Sequence, residues 1–209
     1  MRSLKILVTG TNGMVGSALT RLCHKMGDQI TTFTHASLDI SDDEAVNAAI
    51  KTVRPQAVIN CAAWTNVDAC ESDRTRAYGA NATGPRNLAR ACRRHGAALV
   101  TISTDYVFDG TKEGFYTQRD DPNPQSVYAV SKLEGERLAM SECARTMIVR
   151  TGWIFGVGGR NFLSRVVELA TAGHKIKAIT DCFGTPTFAD DLAARLHQLV
   201  AIDIPGIYH

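Results

Sequence analysis

An α/β fold with a doubly wound parallel sheet is the architecture that the sequence predicts, on three observations. First, an apolar run at residues 4–8 ends in a glycine-rich turn and continues into a helical pattern, which is the order strand, turn, helix. Second, further apolar runs recur along the chain with room for a helix between them, as in repeated β-α units. Third, small or polar residues follow these runs, at the strand ends where parallel sheets hold ligands.

The elements follow from apolar runs, capping residues and helix stops. Strands are expected, in chain order, at residues 4–8, 29–34, 56–61, 97–102 and 146–149, with a strand-like start at 206–209. Helices are expected up to residue 26 and at 41–53, 74–95, 161–171 and 189–200. One more helix, carrying Tyr128 and Lys132, is expected after the stiff turn at residues 121–124, which holds two prolines.

Composition limits the class of protein. The 209 residues suffice for one large domain, and 21% charged residues with a net charge of +2 show neither a nucleic-acid nor a membrane footprint. Cysteines and histidines are scattered without the spacing of a zinc site, so reduced cysteines and no metal are expected. No long apolar segment or signal peptide is visible, and a cytoplasmic location is expected.

The glycine turn contains Gly10, Gly13 and Gly16. Gly10 would permit the tight turn, Gly13 would let the main chain approach a pyrophosphate, and Gly16 would let the helix pack closely on the strand. The helix N-terminus would then offer N–H groups to phosphates. The spacing is wider than that of the tightest dinucleotide fingerprint, and glycines needed for the turn alone are the competing interpretation. A Rossmann-like dinucleotide site is the favoured one.

The end of the second predicted strand bears on the choice of cofactor. An acid usually stands there to bind the ribose 2′-hydroxyl of NAD, but residues 33–36 contain none. This favours NADP slightly, although no arginine is present there to hold a 2′-phosphate. Asp39 could accept a hydrogen bond from the adenine amino group.

Tyr128 and Lys132 are four residues apart and share one face of a predicted helix. A cation beside a phenol favours the phenolate, so Lys132 is expected to lower the pKa of Tyr128, which suits a proton donor or acceptor near neutral pH. The pair alone is weak evidence, because such spacing also occurs on solvated helices. Thr104 and Asp105, at the carboxyl end of the fourth strand, are expected to face the same crevice as the glycine turn.

Several motifs together resemble the extended short-chain dehydrogenase/reductase superfamily. They comprise the glycine turn, Asn60 to Ala63, Asn81 to Leu88, Ser103 to Gly110, Tyr128 to Lys132 and Arg150 to Trp153. Within that superfamily, residues 103–108 and the loop at 181–187 look most like the dTDP-4-dehydrorhamnose reductase family. The likeness extends from residue 4 to the last residue.

The resemblance implies a reaction and a set of roles. Tyr128 would donate a proton to the C4 carbonyl oxygen of a keto-sugar nucleotide while the nicotinamide delivers hydride to C4. Lys132 would hold the nicotinamide ribose, and Thr104 would hydrogen-bond the same carbonyl. The implied cofactor is NADPH, with NADH as a substitute, and a homodimer is compatible with the family. Implied substrate contacts are Thr104, Asp105, Tyr106 and Trp153. Implied cofactor contacts are Gly10, Asn12, Gly13, Met14, Val15, Gly16, Asp39, Ile40, Cys61, Ala62, Ala63, Thr65, Tyr128 and Lys132.

The family pattern also suggests how the chain is divided into domains. This sequence departs from that pattern at two points, which are its length and residue 182. Residues 1–150 would form the NAD(P)-binding domain, and residues 151–209 an incomplete substrate-binding lobe interleaved with the last elements of that domain. Family members continue for several dozen residues beyond this point. Cys182 stands where the family usually has glutamine, which removes an amide that could contact the substrate.

Two other functions share much of this pattern. One is an NADP-binding regulatory subunit without turnover, resembling the beta subunit of methionine adenosyltransferase. The other is a sugar-nucleotide epimerase or dehydratase. Dehydratases of the superfamily place Asp-Glu after the threonine, whereas here Asp105 is followed by Tyr106.

Overall fold

A computed structural model describes residues 3–159, 161–176, 180 and 182–209 of the chain. The strands are β1 Lys5–Thr9, β2 Gln29–Phe33, β3 Ala57–Asn60, β4 Ala98–Thr104, β5 Thr146–Thr151, β6 Ile154–Phe155, β7 Thr187–Phe188 and β8 Gly206–Tyr208. The helices are α1 Met14–Met26, α2 Asp43–Val53, α3 Val67–Ser72, α4 Arg74–Tyr78, α5 Gly84–His95, α6 Val127–Glu142, α7 Phe162–Thr171 and α8 Ala189–Ile202.

The main sheet has the strand order β2-β1-β3-β4-β5-β8, and every pairing in it is parallel. The order reverses between β1 and β3, because the chain adds β2 on one side of β1 and β3 on the other. Such a reversal opens a crevice at the carboxyl ends of the two strands. The predicted doubly wound α/β fold is therefore confirmed, with a second, two-stranded sheet of β6 and β7.

Apolar cores lie on both faces of the main sheet. On one face, α1 and α8 pack over Ile6, Val8 and Ile59. On the other, α2 and α5 pack over Leu7 and Val58. Successive residues of β1 and β3 thus point to opposite faces and are buried on both, which explains their continuous apolar runs. Among the described residues no helix is long and apolar enough to cross a membrane.

The helix expected at residues 74–95 is interrupted, which corrects the sequence prediction. A π-helical turn, Gly79–Thr83, separates α4 from α5. Pro85 stands in the first turn of α5, and a proline inside a continuous α-helix would lose a hydrogen bond and clash with the preceding turn. The wider π-turn places the proline at a helix start instead, where it is tolerated. It also brings Asn81 against α6.

We expect Gly135→Ala to lower the free energy of unfolding by about 1–3 kcal/mol, the usual range for overpacking a tight contact. A Cβ at Gly135 would overlap the carbonyl oxygen of Asn81, so α6 would have to move away from the π-turn. Urea unfolding measures the change. The matched control is Gly79→Ala, where the nearest atom to the new Cβ is 4.0 Å away. Equal destabilisation by both substitutions would contradict the close contact.

Candidate active site at the carboxyl edge of the sheet

The glycine turn is tight and touches the end of β3. Gly10 has φ of 71°, and a Cβ on it would lie 2.5 Å from the nitrogen of Ala62. A Cβ on Gly16 would lie 2.5 Å from the carbonyl oxygen of Gly10. No side chain caps the start of α1 at Gly13, so the first N–H groups of the helix are open to an anion. These features fit a dinucleotide pyrophosphate.

A buried amide fixes the strand ends around this crevice. Asn60 accepts from Thr9 Oγ1 at 2.7 Å and from the nitrogen of Ala62 at 3.1 Å, and its Nδ2 donates to Thr101 Oγ1 at 3.0 Å. It thereby joins β1, β3 and β4 and orients the segment that begins at Cys61. No role was predicted for Asn60 from the sequence, although a polar residue at the end of an apolar strand was a usable signal.

The expected cofactor contacts after β3 differ in exposure. Cys61 and Ala62 are half-buried, and burial raises the pKa of the Cys61 thiol to about 12. Ala63 and Thr65 are exposed. The segment thus presents small, neutral side chains to the crevice.

On the adenine side, Asp39 and Ile40 have different environments. Asp39 is exposed, and its Oδ1 accepts from the nitrogen and hydroxyl of Ser41 at 2.9 and 2.8 Å. These bonds hold the pKa of Asp39 below its ordinary value, so the carboxylate is an ionised acceptor. The Ile40 side chain is buried in the core against Gly84, and Asn87 Nδ2 donates to its carbonyl oxygen at 3.1 Å. The Ile40 side chain is therefore a packing group.

Thr104 and Tyr128 meet at the carboxyl end of β4. Thr104 Oγ1 donates to Asp105 Oδ1 at 3.2 Å and accepts from the nitrogen of Tyr106 at 3.2 Å. Burial raises the pKa of Tyr128 to about 12, although a hydrogen bond with the Thr104 side chain acts in the opposite direction. The ring of Tyr106 meets that of Tyr128 edge-on, 6.0 Å between centroids. The phenol is therefore protonated at neutral pH.

Lys132 lies one helical turn after Tyr128 and is buried. Its Nζ donates to the carbonyl oxygen of Ile102 at 2.7 Å, and burial lowers the pKa of the amine to about 8. The expectation that Lys132 lowers the pKa of Tyr128 was wrong for this structure. The charges acting on the phenol come from Asp105, Cys70 and Tyr106 and raise its pKa, while the amine is engaged with the β4 main chain.

Tyr106 and Trp153 border the same region from two loops. Their side chains are 41% and 43% exposed, whereas large aromatic side chains are usually more buried than this in a folded domain. Trp153 has φ of 46°, a strained main-chain conformation typical of functional sites. A Cβ on Gly184 would lie 2.6 Å from its indole, so the loop after residue 182 packs directly on the ring.

Asp105 completes this side of the site. A Cβ on Gly152 would overlap its carboxylate, so glycine is required there. Burial raises the pKa of Asp105 above its ordinary value. Cys182 is exposed and is one of the groups that raise the pKa of Tyr106, after burial and Asp105. Asp181, the first residue of the expected family loop, lies outside the described residues.

Near the amino end of β2, the fold brings together three residues that are far from the spacing of a metal site in the sequence. The potential ligand atoms of Cys23, Asp28 and His197 lie within 4.8 Å of one another. His197 Nε2 and Asp28 Oδ2 are 2.7 Å apart, and burial raises the pKa of the Cys23 thiol to about 11. The hydrogen bond between His197 and Asp28 ties α8 to the start of β2.

Known proteins match this chain along nearly its whole length. A family model described as "RmlD substrate binding domain" matches residues 4–209. A dTDP-4-dehydrorhamnose reductase of Streptomyces griseus is 42% identical, over 97% of this chain and 69% of the relative. Another, of Mycobacterium tuberculosis strain H37Rv, is 40% identical, over 98% of this chain and 68% of the relative. The chain thus spans about two thirds of the length of these curated relatives.

Solved structures agree with the sequence matches. The dTDP-4-dehydrorhamnose reductase of Clostridium acetobutylicum superposes with a TM-score of 0.95 at 39% identity, over 99% of this chain and 73% of that one. The Bacillus anthracis enzyme, solved in complex with NADP, gives 0.96 at 35% identity, over 100% of this chain and 74% of that one. With a family model covering residues 4–209 and relatives at this level of identity, the chain belongs to the dTDP-4-dehydrorhamnose reductase family.

Proposed function

We propose that this chain is an NADP(H)-dependent reductase that converts the C4 keto group of dTDP-4-dehydrorhamnose to the hydroxyl of dTDP-L-rhamnose. The observation that carries the proposal is that the Thr104 side chain, at the end of β4, acts on the pKa of the buried and protonated Tyr128 phenol, with Lys132 one turn further along the same helix and bonded to the carbonyl oxygen of Ile102. All three lie at the sheet edge where the glycine turn leaves β1. Relatives at 40–42% identity that carry this enzyme's name support the substrate.

The crevice between the ends of β1 and β3 is the proposed cofactor site. The glycine turn and the uncapped start of α1 would hold the pyrophosphate, and the ionised Asp39 would accept from the adenine amino group. Bound NADPH would supply the hydride. The remaining contacts are those expected from the sequence, except that the Ile40 side chain is committed to the core. The NADP complex of the Bacillus anthracis relative supports this cofactor.

Tyr128 is the proposed proton donor. A phenol whose pKa is about 12 keeps its proton at neutral pH, and it can release that proton as negative charge grows on the carbonyl oxygen of the sugar. The Thr104 hydroxyl would turn its proton from Asp105 Oδ1 to the same oxygen and stabilise the growing charge. Tyr106, Trp153 and Asp105 would border the sugar and fix its orientation.

Lys132 is the proposed holder of the nicotinamide ribose. Its Nζ uses one hydrogen to bond the Ile102 carbonyl and has others left to donate. With a pKa of about 8, the amine is protonated at neutral pH. Residues 1–150 would supply the cofactor site and residues 151–209 the substrate side, with α8 and β8 returning to the main fold.

A cofactor-consumption assay over a panel of keto-sugar nucleotides tests the proposal. NADPH absorbance should fall with dTDP-4-dehydrorhamnose and more slowly with keto sugars on other nucleotides. NADPH binding, measured by calorimetry, without reduction of any panel member would overturn the reductase assignment and favour the regulatory subunit. Tightly bound NAD that survives purification would favour an epimerase or dehydratase instead, because an internal redox cycle retains its cofactor.

A further inference from the structure

Three side chains of α6 follow one another at intervals of four residues and all point inward. Tyr128, Lys132 and Glu136 are 9%, 5% and 3% exposed. The proposed function uses the first two and gives Glu136 no task. A buried carboxylate is costly to desolvate and needs a partner of opposite charge.

Arg150, near the end of β5, is that partner. Its Nε donates to Glu136 Oε1 at 3.0 Å and to Oε2 at 3.2 Å, and its Nη2 donates to Oε2 at 2.6 Å. The guanidinium is itself held, because it lies 5.2 Å from the centroid of the Phe108 ring and 3.5 Å from His209 Nε2. The carboxylate is therefore fixed in position and paired with a cation.

A small cavity separates this carboxylate from Lys132. Its lining in the described part of the chain includes Lys132, Glu136, Ser103 and Asn81 but not Arg150, so Glu136 and not Arg150 shares this cavity with the amine-bearing side chain. Ser103 Oγ is buried and has no hydrogen-bond partner among the described residues, so this hydroxyl does not bond the carboxylate. Glu136 lies one helical turn from Lys132, and its negative charge favours the protonated amine.

We propose that Glu136, clamped by Arg150, is a positioning residue that keeps the Lys132 amine protonated. This rests on the role proposed above for Lys132. The stability of the fold alone does not require the pair, because apolar side chains of similar volume often replace a buried ion pair without loss. What such a replacement removes is the negative charge beside Lys132.

Other groups around Lys132 do not take over this task. Burial opposes its charge and Glu136 favours it most among its neighbours. Cys61, which follows β3, is the other group that acts in this direction, but its thiol has a pKa of about 12 and is neutral near pH 8. Tyr128, on the same helix, is neutral at neutral pH. Without Glu136, the amine would thus lose its proton at a lower pH than about 8.

NMR titration of ¹³C-labelled lysine side chains in the cofactor-free protein tests the proposal directly. The Lys132 signal is assigned by its absence in Lys132→Met. In the unsubstituted protein it should titrate near pH 8. In the double variant Glu136→Met with Arg150→Met, its midpoint should be lower, by less than the roughly one to three pH units that a single close opposite charge contributes, because the Arg150 cation is removed with the carboxylate. An unchanged midpoint in the folded variant overturns the proposal.

The control replaces another ion pair joined to β5. Arg145 Nη2 and Asp203 Oδ2 are 2.6 Å apart, and Arg145→Met with Asp203→Asn should leave the Lys132 midpoint unchanged. If thermal unfolding shows that the apolar pair does not fold, Glu136→Gln, which keeps the shape and an oxygen for Arg150, is titrated with the same expected direction. A protein that reduces no keto-sugar nucleotide would refute the proposed function, while the lysine titration would still decide the role of Glu136.

Discussion

Tyr128→Phe is expected to lower kcat/KM for keto-sugar reduction by about 10²–10⁴-fold, the usual contribution of a positioned general acid. The substitution removes one oxygen and keeps the ring, which packs with Cys70, Ala77 and Val127. The lost step is proton delivery to the sugar oxygen, since the remaining Thr104 hydroxyl can hydrogen-bond that oxygen but is too weak an acid to protonate it. Steady-state NADPH oxidation with dTDP-4-dehydrorhamnose measures the effect.

The matched control is another tyrosine whose hydroxyl is engaged. Tyr208 donates to the carbonyl oxygen of Ile204 at 2.7 Å on β8, and Tyr208→Phe should leave turnover unchanged. Calorimetric affinity for NADPH should be unchanged in Tyr208→Phe and should fall far less than turnover in Tyr128→Phe, because that variant loses at most one cofactor hydrogen bond and no phosphate contact. Equal turnover in the two variants would show that Tyr128 is not the acid.

Gly10→Ala is expected to destabilise the fold and to abolish NADPH binding. The left-handed φ of 71° costs alanine about 1–2 kcal/mol. In addition, its Cβ would lie 2.5 Å from the nitrogen of Ala62 and 2.6 Å from the carbonyl carbon of Cys61, an overlap with main-chain atoms that adds about 1–3 kcal/mol. Relief requires β1 and the segment after β3 to separate, which opens the pyrophosphate cradle. Urea unfolding and NADPH calorimetry measure the two effects.

Substitution of Gly27 distinguishes the strain of a left-handed main chain from the overlap with neighbouring main-chain atoms. It also has a left-handed φ, 76°, but no atom lies within 4 Å of a Cβ built there. Gly27→Ala should therefore cost only the conformational strain of about 1–2 kcal/mol and leave NADPH affinity unchanged. A similar loss of stability in the two variants would mean that the close approach to Ala62 is not a constraint. Unchanged NADPH affinity in Gly10→Ala would argue against the cradle.

Local chemistry made the first half of the fold and the glycine turn predictable. The strand, turn and helix at residues 4–26 depend on apolar periodicity and on glycines that permit a turn, and neighbouring residues alone encode both. The parallel order followed because strands alternate with helices, and the strand ends then indicated where Thr104 and Tyr128 would lie. The site residues themselves remain predictions.

The properties that the sequence missed depend on contacts between distant residues. The π-turn at residues 79–83 exists where α5, with Pro85, meets α6 at Gly135, and the bonds of Asn60 span three strands. The expected effect of Lys132 on Tyr128 failed for the same reason. Spacing on a helix places two side chains on one face, but burial and hydrogen-bond partners set their pKa values.

By itself, the sequence determined the α/β class, the glycine turn and the shared helical face of Tyr128 and Lys132, since each follows from spacing along the chain. Only the tertiary structure decided that Lys132 bonds the β4 main chain, that Tyr128 stays protonated, and that Arg150 holds the carboxylate of Glu136. The physical reason is that desolvation and charge pairing depend on which strands and helices surround a group. Those neighbours are fixed by the fold and not by adjacent residues.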